Sequence, residues 1–325
     1  MSEEKFIRMD NEEYHAHDAL GSSDLRKLMR SPLHLVGHVN PQVRPPHFVF
    51  GSAVHAGYLE PTEFTQSYRE KPADIDGKGP RTALYKDWMD NQPQGIDWLS
   101  KDDYDKALNC VQAANDHPIT GKMFGGKPVI EGSLFFQLNG VECKVRPDLV
   151  AFKEDGSVDV LDLKTTNDAS PAGFRSSVGK LGYHIQEWFY REGLKANGFE
   201  VERFVFLCVE KSPPFATAAY VLNQGDVQGV AGEAELALLA YKECKEKDYW
   251  PGYSEEVLEI SLPPWKSPRK EGPNGNWLTI RQVVEHYRIS RSTAYNWIAR
   301  GVESRRFAGK RLISAKSLER VLGGE

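Results

Sequence analysis

The chain has 325 residues, of which 40% are hydrophobic and 11% aromatic, enough for one large folded domain and a small second one. No apolar run approaches the roughly 18 residues that cross a bilayer, and the N-terminus has no apolar signal region, so we expect a cytoplasmic protein without a membrane partner. The four cysteines are dispersed with no Cys-x-x-Cys pair, which argues against a zinc or iron–sulfur site.

Charge is distributed unevenly along the chain. From Asn274 onwards there are ten Lys and Arg against four Asp and Glu, a balance of +6, whereas the first 273 residues carry 31 basic and 42 acidic residues, a balance of −11. A segment with four prolines and two glycines separates the acidic body from the basic tail. We therefore predict a large domain over residues 1–260, an extended linker over 261–275 and a small module over 276–325.

The pattern predicts helices in the first part of the chain. One begins near Ser22 and ends at Ser31-Pro32, and others lie near residues 81–91 and 101–115. Another follows Pro45-Pro46 and contains the small residues Gly51, Ala53, Ala56 and Gly57, which let a neighbouring backbone approach closely. We expect His55, in the same helix, to lie in a crowded interior, where a lone histidine is more often a core residue than a metal ligand.

A β-hairpin is predicted beyond a first strand at residues 128–138. Two apolar segments, 141–152 and 157–165, flank the three-residue turn Glu154-Asp155-Gly156. This turn pairs residue 153 with residue 157, so the numbers of any two residues paired across the hairpin add up to 310. Asp148 is therefore opposite Asp162, on the same face of the sheet. A two-residue turn would send the aspartates to opposite faces. We expect the first strand to bend, or to lie at an edge, at Pro147.

The hairpin brings together groups that can hold a metal ion. Side chains alternate along a strand, so Lys164 shares the face of Asp162, and two aspartates side by side repel each other unless a cation lies between them. Such an oxygen site suits Mg²⁺ or Mn²⁺ bound to a phosphodiester, with Lys164 positioning water or neutralising charge. The alternative is a solvated hairpin with these side chains pointing outward. The apolar run over residues 158–163 favours burial instead.

Helices and strands alternate after the hairpin. Helices are predicted near residues 171–178 and 182–196, strands over 200–210 and 215–222, and a long helix over 226–249. Gln186 and Tyr190 are four residues apart and share a helix face, where by default they are surface residues. The order of elements predicts an α/β domain with a mixed central sheet flanked by helices.

Four ordered motifs resemble those of the PD-(D/E)xK nuclease superfamily and look most like its RecE-type exonuclease branch of phages and prophages. The motifs are Gly51-Ser-Ala-Val-His55, Arg146-Pro-Asp148, Asp162-Leu-Lys164-Thr-Thr and Tyr183-His-Ile-Gln186-Glu-Trp-Phe-Tyr190. The resemblance covers roughly residues 10 to 222. It implies a restriction-endonuclease-like core in which His55, Asp148, Asp162 and the Leu163 carbonyl bind metal.

The resemblance also implies roles for the remaining motif residues and an activity. Lys164 would be the catalytic lysine, with Gln186 and Tyr190 beside it in the active site. Glu131, on the preceding strand, can reach a second ion but is not in the expected set. The implied activity is Mg²⁺-dependent digestion of linear duplex DNA from 5′ ends, with Mn²⁺ able to substitute. It would leave 3′ strands for a single-strand annealing protein, and the enzyme would be a homo-oligomeric ring.

Binding of DNA by the acidic body requires locally positive surface, because affinity for nucleic acid comes mainly from neutralised phosphates. We expect basic residues to line a DNA channel in this domain, although scattered surface charges are the alternative. The expected residues are Lys27, Arg30, Lys144, Arg146, Arg175 and Lys180.

The basic tail predicts a helix-turn-helix followed by a short β-wing and a closing helix. Thr279 caps the first helix, residues 291–298 form the second, and the wing spans 307–313. The module resembles the winged modules of excisionase and MerR-like proteins. Ser292, Thr293 and Tyr295 are expected in the major groove, and phosphate contacts are expected from Arg291, Arg300, Arg305, Arg306, Lys310 and Arg311. The alternative is an appendage that docks on protein.

Three classes of function fit these patterns. The first is a metal-dependent exonuclease in phage-type recombination, and the second is a structure- or site-specific endonuclease directed by the tail. The third is a noncatalytic DNA-binding regulator with a vestigial core. The presence of Asp148, Asp162 and Lys164 together argues against the third.

Overall fold

The structure is a computed structural model that describes residues 3–37, 46–260, 277–307 and 310–323. The predicted linker over residues 261–275 lies outside the described residues. The chain divides into two compact units, Met1–Glu255 and Glu256–Glu325. Among the described residues no helix is both long and apolar enough to cross a membrane.

Helices account for much of the first unit. After a single 3-10 turn at Glu3–Lys5, its described α-helices are α1 (Asn11–Ala16), α2 (Ser22–Arg30), α3 (Pro32–Val36), α4 (Pro46–Leu59), α5 (Pro61–Ser67), α6 (Ala83–Asp90), α7 (Lys101–Asp116), α8 (Pro118–Phe124), α9 (Pro171–Leu181), α10 (Tyr183–Ala196), α11 (Gln224–Gln228) and α12 (Ala231–Lys247). Several begin at side-chain caps, as Ser100 does for α7 and Ser170 for α9.

The strands of the first unit form one central sheet and two small ones. They are β1 (Tyr68–Glu70), β2 (Asp97–Leu99), β3 (Val129–Ile130), β4 (Leu134–Leu138), β5 (Val141–Val145), β6 (Leu149–Phe152), β7 (Val158–Thr166), β8 (Val201–Glu210) and β9 (Thr217–Tyr220). The central sheet has the order β3-β6-β7-β8-β9, in which β7 and β8 are parallel and the other neighbours antiparallel. The predicted α/β fold with a mixed central sheet is confirmed.

Three predicted elements are divided in the structure. The strand expected over residues 141–152 forms β5 and β6 in different sheets, because the chain bends at Pro147, which has no amide hydrogen for a ladder. The strand expected over 128–138 is interrupted at Glu131, whose φ of 50° is incompatible with an extended chain. The helix expected over 226–249 is split into α11 and α12 near Gly229, the C-cap of α11.

Two hydrophobic layers cover the central sheet, and β7 contributes to both. Val158 and Val160 pack into the layer that contains residues of α2, α9, α10 and α12. Leu161 and Leu163 pack into the opposite layer, with residues of α4, α7 and α8. Because side chains alternate, Asp162 and Lys164 lie on the same side of β7 as Val158 and Val160.

The second unit is a small helix-turn-helix module with a three-stranded sheet. Its elements are β10 (Trp277–Thr279), α13 (Ile280–Tyr287), α14 (Arg291–Ala299), β11 (Ser304–Phe307), β12 (Lys310–Ser314) and α15 (Ala315–Gly323). Thr279 and Gln282 form a reciprocal capping box at α13, and Ser290 caps α14. Leu278, Val283 and Ile313 belong to its separate core. The predicted helix-turn-helix, wing and closing helix are confirmed.

Candidate metal and catalytic site

The register between β6 and β7 brings the two motif aspartates to one point of the sheet. The pairs run from Leu149 with Leu161 to Phe152 with Val158, so the predicted sum of 310 is confirmed. Asp148 lies one residue before β6, and its Oδ2 accepts a hydrogen bond of 2.7 Å from the amide of Leu163. The side chain of Asp148 is thereby fixed against the main chain beside Asp162.

A second group of potential ligands forms around Asp148. The Nδ1 atom of His55 lies 3.4 Å from Asp148 Oδ2. Potential ligand atoms of His55, Asp148 and Glu131 all lie within 4.8 Å of one another. This donor set of one imidazole and two carboxylates fits a hard divalent cation.

Small residues allow α4 to deliver His55 to this point. A Cβ added to Gly51 would lie 3.6 Å from Thr165 Oγ1 at the end of β7, and one added to Gly57 would lie 2.7 Å from Val111 Cγ2 of α7. At Gly57 there is no room for a Cβ, so a close approach occurs there, but the neighbour is a side chain and not the backbone that the sequence led us to expect. The expectation that His55 itself is interior is wrong, because its side chain retains 29% exposure and faces the ligand cluster.

Glu131 is a member of the cluster that lies outside the ligand set expected from the sequence. Its backbone is in the left-handed region, and its amide donates to the carbonyl of Asp148 over 3.1 Å. Burial, and then the charge of Asp148, raise the pKa of Glu131 to about 8. A nearby cation would stabilise the ionised form of a carboxyl in these surroundings. The signal in the sequence was Glu131-Gly132 interrupting an apolar strand, a pattern typical of a bulge or bend.

Asp162 is almost completely buried, with 1% of its surface exposed, and Oδ1 has a hydrogen-bond donor whereas Oδ2 has only an ion pair. Oδ1 accepts a hydrogen bond of 2.6 Å from Gln186 Nε2, and Oδ2 lies 2.5 Å from Lys164 Nζ. Burial and, to a smaller extent, the charge of Asp148 raise the pKa of Asp162 to about 6, against the opposing effect of Lys164. The two aspartates therefore lie close enough to repel each other electrostatically.

Lys164 is charged despite its burial. Burial alone lowers the pKa of its ammonium group, but Asp162 and Asp148 more than compensate, so the net pKa is raised. The side chain retains 16% exposure. An ammonium group at the edge of a carboxylate cluster can meet the negative charge of a phosphate.

Helix α10 contributes Gln186 and Tyr190, which are not simple surface residues. Gln186 holds Asp162, and the hydroxyl of Tyr190 donates to the carbonyl of Arg146 over 3.2 Å. Burial raises the pKa of Tyr190 well above its ordinary value, so its hydroxyl stays neutral. Both residues orient the elements that carry the motif aspartates.

Two of the six residues expected along a DNA channel are buried instead. Lys144 Nζ donates to the carbonyls of Tyr14 and His17, and the Arg146 guanidinium donates to Ser133 Oγ and the carbonyls of Met9 and Asp10. These cations bind the N-terminal segment, so their assignment to DNA is wrong. Arg175 and Lys180 are exposed as expected. Arg30 is exposed and donates to Tyr253, and Lys27 pairs with Asp24.

In the helix-turn-helix module, most of the expected DNA-binding residues have exposed side chains. Ser292 and Tyr295 are exposed, but the hydroxyls of Ser292 and Thr293 also lie 2.6 and 2.8 Å from that of Ser290 at the N-terminus of α14. Arg305 stacks over the ring of Trp277, 4.2 Å from its centroid. Of the arginines expected to contact phosphates, Arg291, Arg300, Arg305 and Arg306 are exposed, while Arg311 is half-buried. The side chain of Lys310 lies outside the described residues.

Comparison with known families assigns the first unit. Residues 21–261 match a family described as a PDDEXK-like domain of unknown function (DUF3799). The chain belongs to this PDDEXK-like family. Its Pro147-Asp148 and Asp162-Leu163-Lys164 match the pattern in the family's name, and both parts of the pattern adjoin the cluster described above. Residues 277–324 match a helix-turn-helix domain.

Solved structures support the fold of this PDDEXK-like chain. The crystal structure of a "Putative exonuclease" from Eubacterium rectale has 16% sequence identity, covers 79% of this chain and 97% of its own, and gives a TM-score of 0.54. The structure of SSO0001 has 12% identity over 66% of this chain and 84% of its own, with a TM-score of 0.26 that is too low to support an argument. No curated protein matches the chain.

Proposed function

We propose that the chain is a Mg²⁺-dependent deoxyribonuclease that resects linear duplex DNA as a 5′-to-3′ exonuclease. The observation that carries the proposal is the convergence of His55, Glu131 and Asp148 beside the Asp162–Lys164 pair in a PDDEXK-like fold. A bound Mg²⁺ would stabilise charge on the phosphate and lower the pKa of an attacking water. Mn²⁺ has the same preference for oxygen ligands and should substitute.

The proposed ligands are His55, Asp148, Asp162 and the carbonyl of Leu163, with Glu131 added because its side chain reaches the same cluster. The hydrogen bond from the Leu163 amide to Asp148 supports this set, since it fixes one carboxylate beside the main chain that carries the other. Burial, and then the neighbouring carboxylates, raise the pKa values of Glu131 and Asp162, and a bound cation would favour the ionised form of both groups.

Lys164, Gln186 and Tyr190 are proposed to complete the active site. The ammonium of Lys164 neutralises charge that develops on the phosphate and orients the water. Gln186 fixes Oδ1 of Asp162 and so sets the direction in which the second oxygen points. Tyr190 holds the Arg146 carbonyl, two residues before Asp148, and keeps that carboxylate in register.

The finer parts of the proposal rest on the RecE-type motif resemblance. They are digestion from 5′ ends, a 3′ strand passed to an annealing protein in recombination, and a homo-oligomeric ring. The helix-turn-helix module would retain duplex DNA, with Ser292, Thr293 and Tyr295 at base edges and the module's arginines and Lys310 on phosphates. Its ten basic residues against four acidic ones support this role.

A structure- or site-specific endonuclease is the second candidate. The observation that favours it is the helix-turn-helix module itself, because digestion from a DNA end needs no recognition of sequence. The two functions differ in their substrates, since an endonuclease cuts covalently closed circles and an exonuclease does not.

The test uses the full chain with Mg²⁺ on end-labelled linear duplex and on covalently closed circular duplex. We expect early release of 5′ label, retention of 3′ label and intact circles. Release should fall by about 100-fold in Asp162→Ala and should be absent in excess EDTA. Cleavage of the circle would replace the first candidate by the second. Absence of Mg²⁺- and Mn²⁺-dependent hydrolysis on either substrate would contradict both.

A further inference from the structure

Helix α10 presents a third residue to the active site, in addition to Gln186 and Tyr190. Tyr183, the first residue of α10, lies three positions before Gln186 and seven before Tyr190, a spacing that places all three on one helix face. Gln186 contacts Asp162 and Tyr190 contacts the Arg146 carbonyl. Tyr183 faces the third element of the site, because the Nζ of Lys164 lies 4.8 Å from the centroid of its ring.

The contact between Lys164 and Tyr183 is a cation–π interaction that is largely shielded from solvent. Lys164 has 16% exposure, and its ammonium lies near Asp162 Oδ2 as well as near the ring of Tyr183. The electron-rich face of an aromatic ring attracts a cation more strongly where water is excluded. The carboxylate and the ring of Tyr183 therefore restrain the same ammonium through two different interactions, and the ring of Phe206 lies further from it, at 6.0 Å.

The ring of Tyr183 is itself held in place by an aromatic stack. Its neighbours are Phe206 at 5.7 Å and Phe174 at 6.0 Å between ring centroids, and Phe174 stacks in turn on Tyr220 at 4.7 Å. Gly182, with a φ of 73°, ends α9 and begins α10, so the chain turns sharply just before Tyr183. The turn and the direct contacts with Phe206 and Phe174 fix the direction of the ring, whereas Tyr220 lies one ring further away.

We propose that Tyr183 is a positioning residue whose ring face holds the ammonium of Lys164 at the phosphate. The proposal rests on the proposed nuclease function. In this arrangement α10 aligns three parts of the active site through three side chains of one face: Lys164 through Tyr183, Asp162 through Gln186 and the segment before Asp148 through Tyr190.

Three single variants test the proposal by kcat and KM for linear duplex with saturating Mg²⁺. Tyr183→Leu removes the ring face and should lower kcat by about 3- to 10-fold with little change in KM. Tyr183→Phe keeps the face and should retain nearly all of the rate. Tyr220→Leu is the matched control, because Tyr220 belongs to the same stack without contacting Lys164, and it should leave kcat unchanged. Tyr183→Met replaces the leucine variant if that one does not fold.

Two results with the single variants would overturn the proposal. Equal losses in Tyr183→Phe and Tyr183→Leu would make the hydroxyl the important group, and equal losses in Tyr220→Leu and Tyr183→Leu would reduce the effect to packing. In a Lys164→Met background, Tyr183→Leu should cause no further loss, since the group that it positions has gone. A full additional loss there would also contradict the proposal.

An NMR measurement separates this proposal from the proposed function. Protons next to the Lys164 ammonium should be shifted upfield by the ring current of Tyr183, unchanged in Tyr183→Phe and moved downfield in Tyr183→Leu. If the protein hydrolyses no DNA but shows these shifts, the nuclease function fails and the contact stands. If the shifts are absent, the positioning role fails whatever the activity.

Discussion

Replacing Glu131 by glutamine should stabilise the metal-free protein at alkaline pH while weakening its response to Mg²⁺. The amide keeps the shape of the carboxyl and removes the charge that burial and Asp148 oppose. The pKa of Glu131 is raised from 4.5 to about 8 in the folded chain, so folding favours the protonated form. The stability that this proton contributes is complete below pH 4.5 and is lost as the pH rises through 8.

The size of the effect follows from the same pKa values. For an isolated carboxyl the full shift corresponds to roughly 5 kcal/mol of destabilisation, at about 1.4 kcal/mol for each unit of pKa, and to slightly less at pH 8, where the folded group is half ionised. Glu131 is partly exposed and shares its repulsion with Asp148, so we expect about 1 to 2 kcal/mol. For a unit of this size, that corresponds to a rise of about 3 to 6 °C in melting temperature.

Thermal melting at pH 5 and pH 8, in EDTA and in Mg²⁺, measures this prediction. In EDTA, Glu131→Gln should melt higher than the wild type at pH 8 and close to it at pH 5. Mg²⁺ should raise the melting temperature of the wild type, because a ligand bound only by the native state stabilises it, and should raise that of the variant less. Glu142→Gln, at an exposed position of β5, is the matched control and should change neither quantity.

A variant that melts lower than the wild type at pH 8 in EDTA would refute the reasoning. So would a difference of the same size at pH 5 and pH 8, because the argument depends on ionisation of Glu131. If Mg²⁺ raises the melting temperature of the variant as much as that of the wild type, Glu131 is not a metal ligand. Its ionisation could still destabilise the metal-free fold.

Three further predictions concern activity. Asp162→Ala should lower Mg²⁺-dependent nucleotide release by about 100-fold, since it removes a proposed ligand, and unchanged release would eliminate the site. Gln186→Leu should lower kcat by about 10-fold, because the buried Oδ1 of Asp162 loses its donor, and a normal kcat would mean that this hydrogen bond does not orient the carboxylate. Deleting residues 274–325 should spare hydrolysis of plain duplex and weaken DNA retention in a gel-shift titration; loss of all hydrolysis would make the module part of the catalytic fold.

The hairpin register could be predicted because it depends on local chain geometry. Gly156 has a φ of 85° and closes the three-residue turn, which fixes the pairing for the rest of both strands. The helix-turn-helix was predictable for a similar reason, since Thr279 and Ser290 are recognisable caps. The motif resemblance then supplied the roles that local geometry alone leaves open.

Glu131, Lys144 and Arg146 show where sequence reasoning was insufficient. Glu131 reaches the cluster through a left-handed bend and a contact with distant His55, neither of which a periodic pattern reports. Lys144 and Arg146 were assigned to DNA from their charge, but their partners are mainly main-chain carbonyls of the N-terminal segment. Carbonyl groups are present at every residue, so a sequence gives no sign of which ones a buried cation will select.

The attachment of the N-terminal segment bears on how this domain can be excised. The family match begins at residue 21, yet Ile7 and Leu20 form main-chain bridges with Ser133 and Cys143. A fragment cut at residue 21 would remove both carbonyl acceptors of Lys144, leave Arg146 with Ser133 Oγ alone, and open the flank of the β4–β5 hairpin. The smallest autonomous version of this unit should therefore start ahead of Ile7, and boundaries drawn from sequence similarity alone would give an unstable fragment.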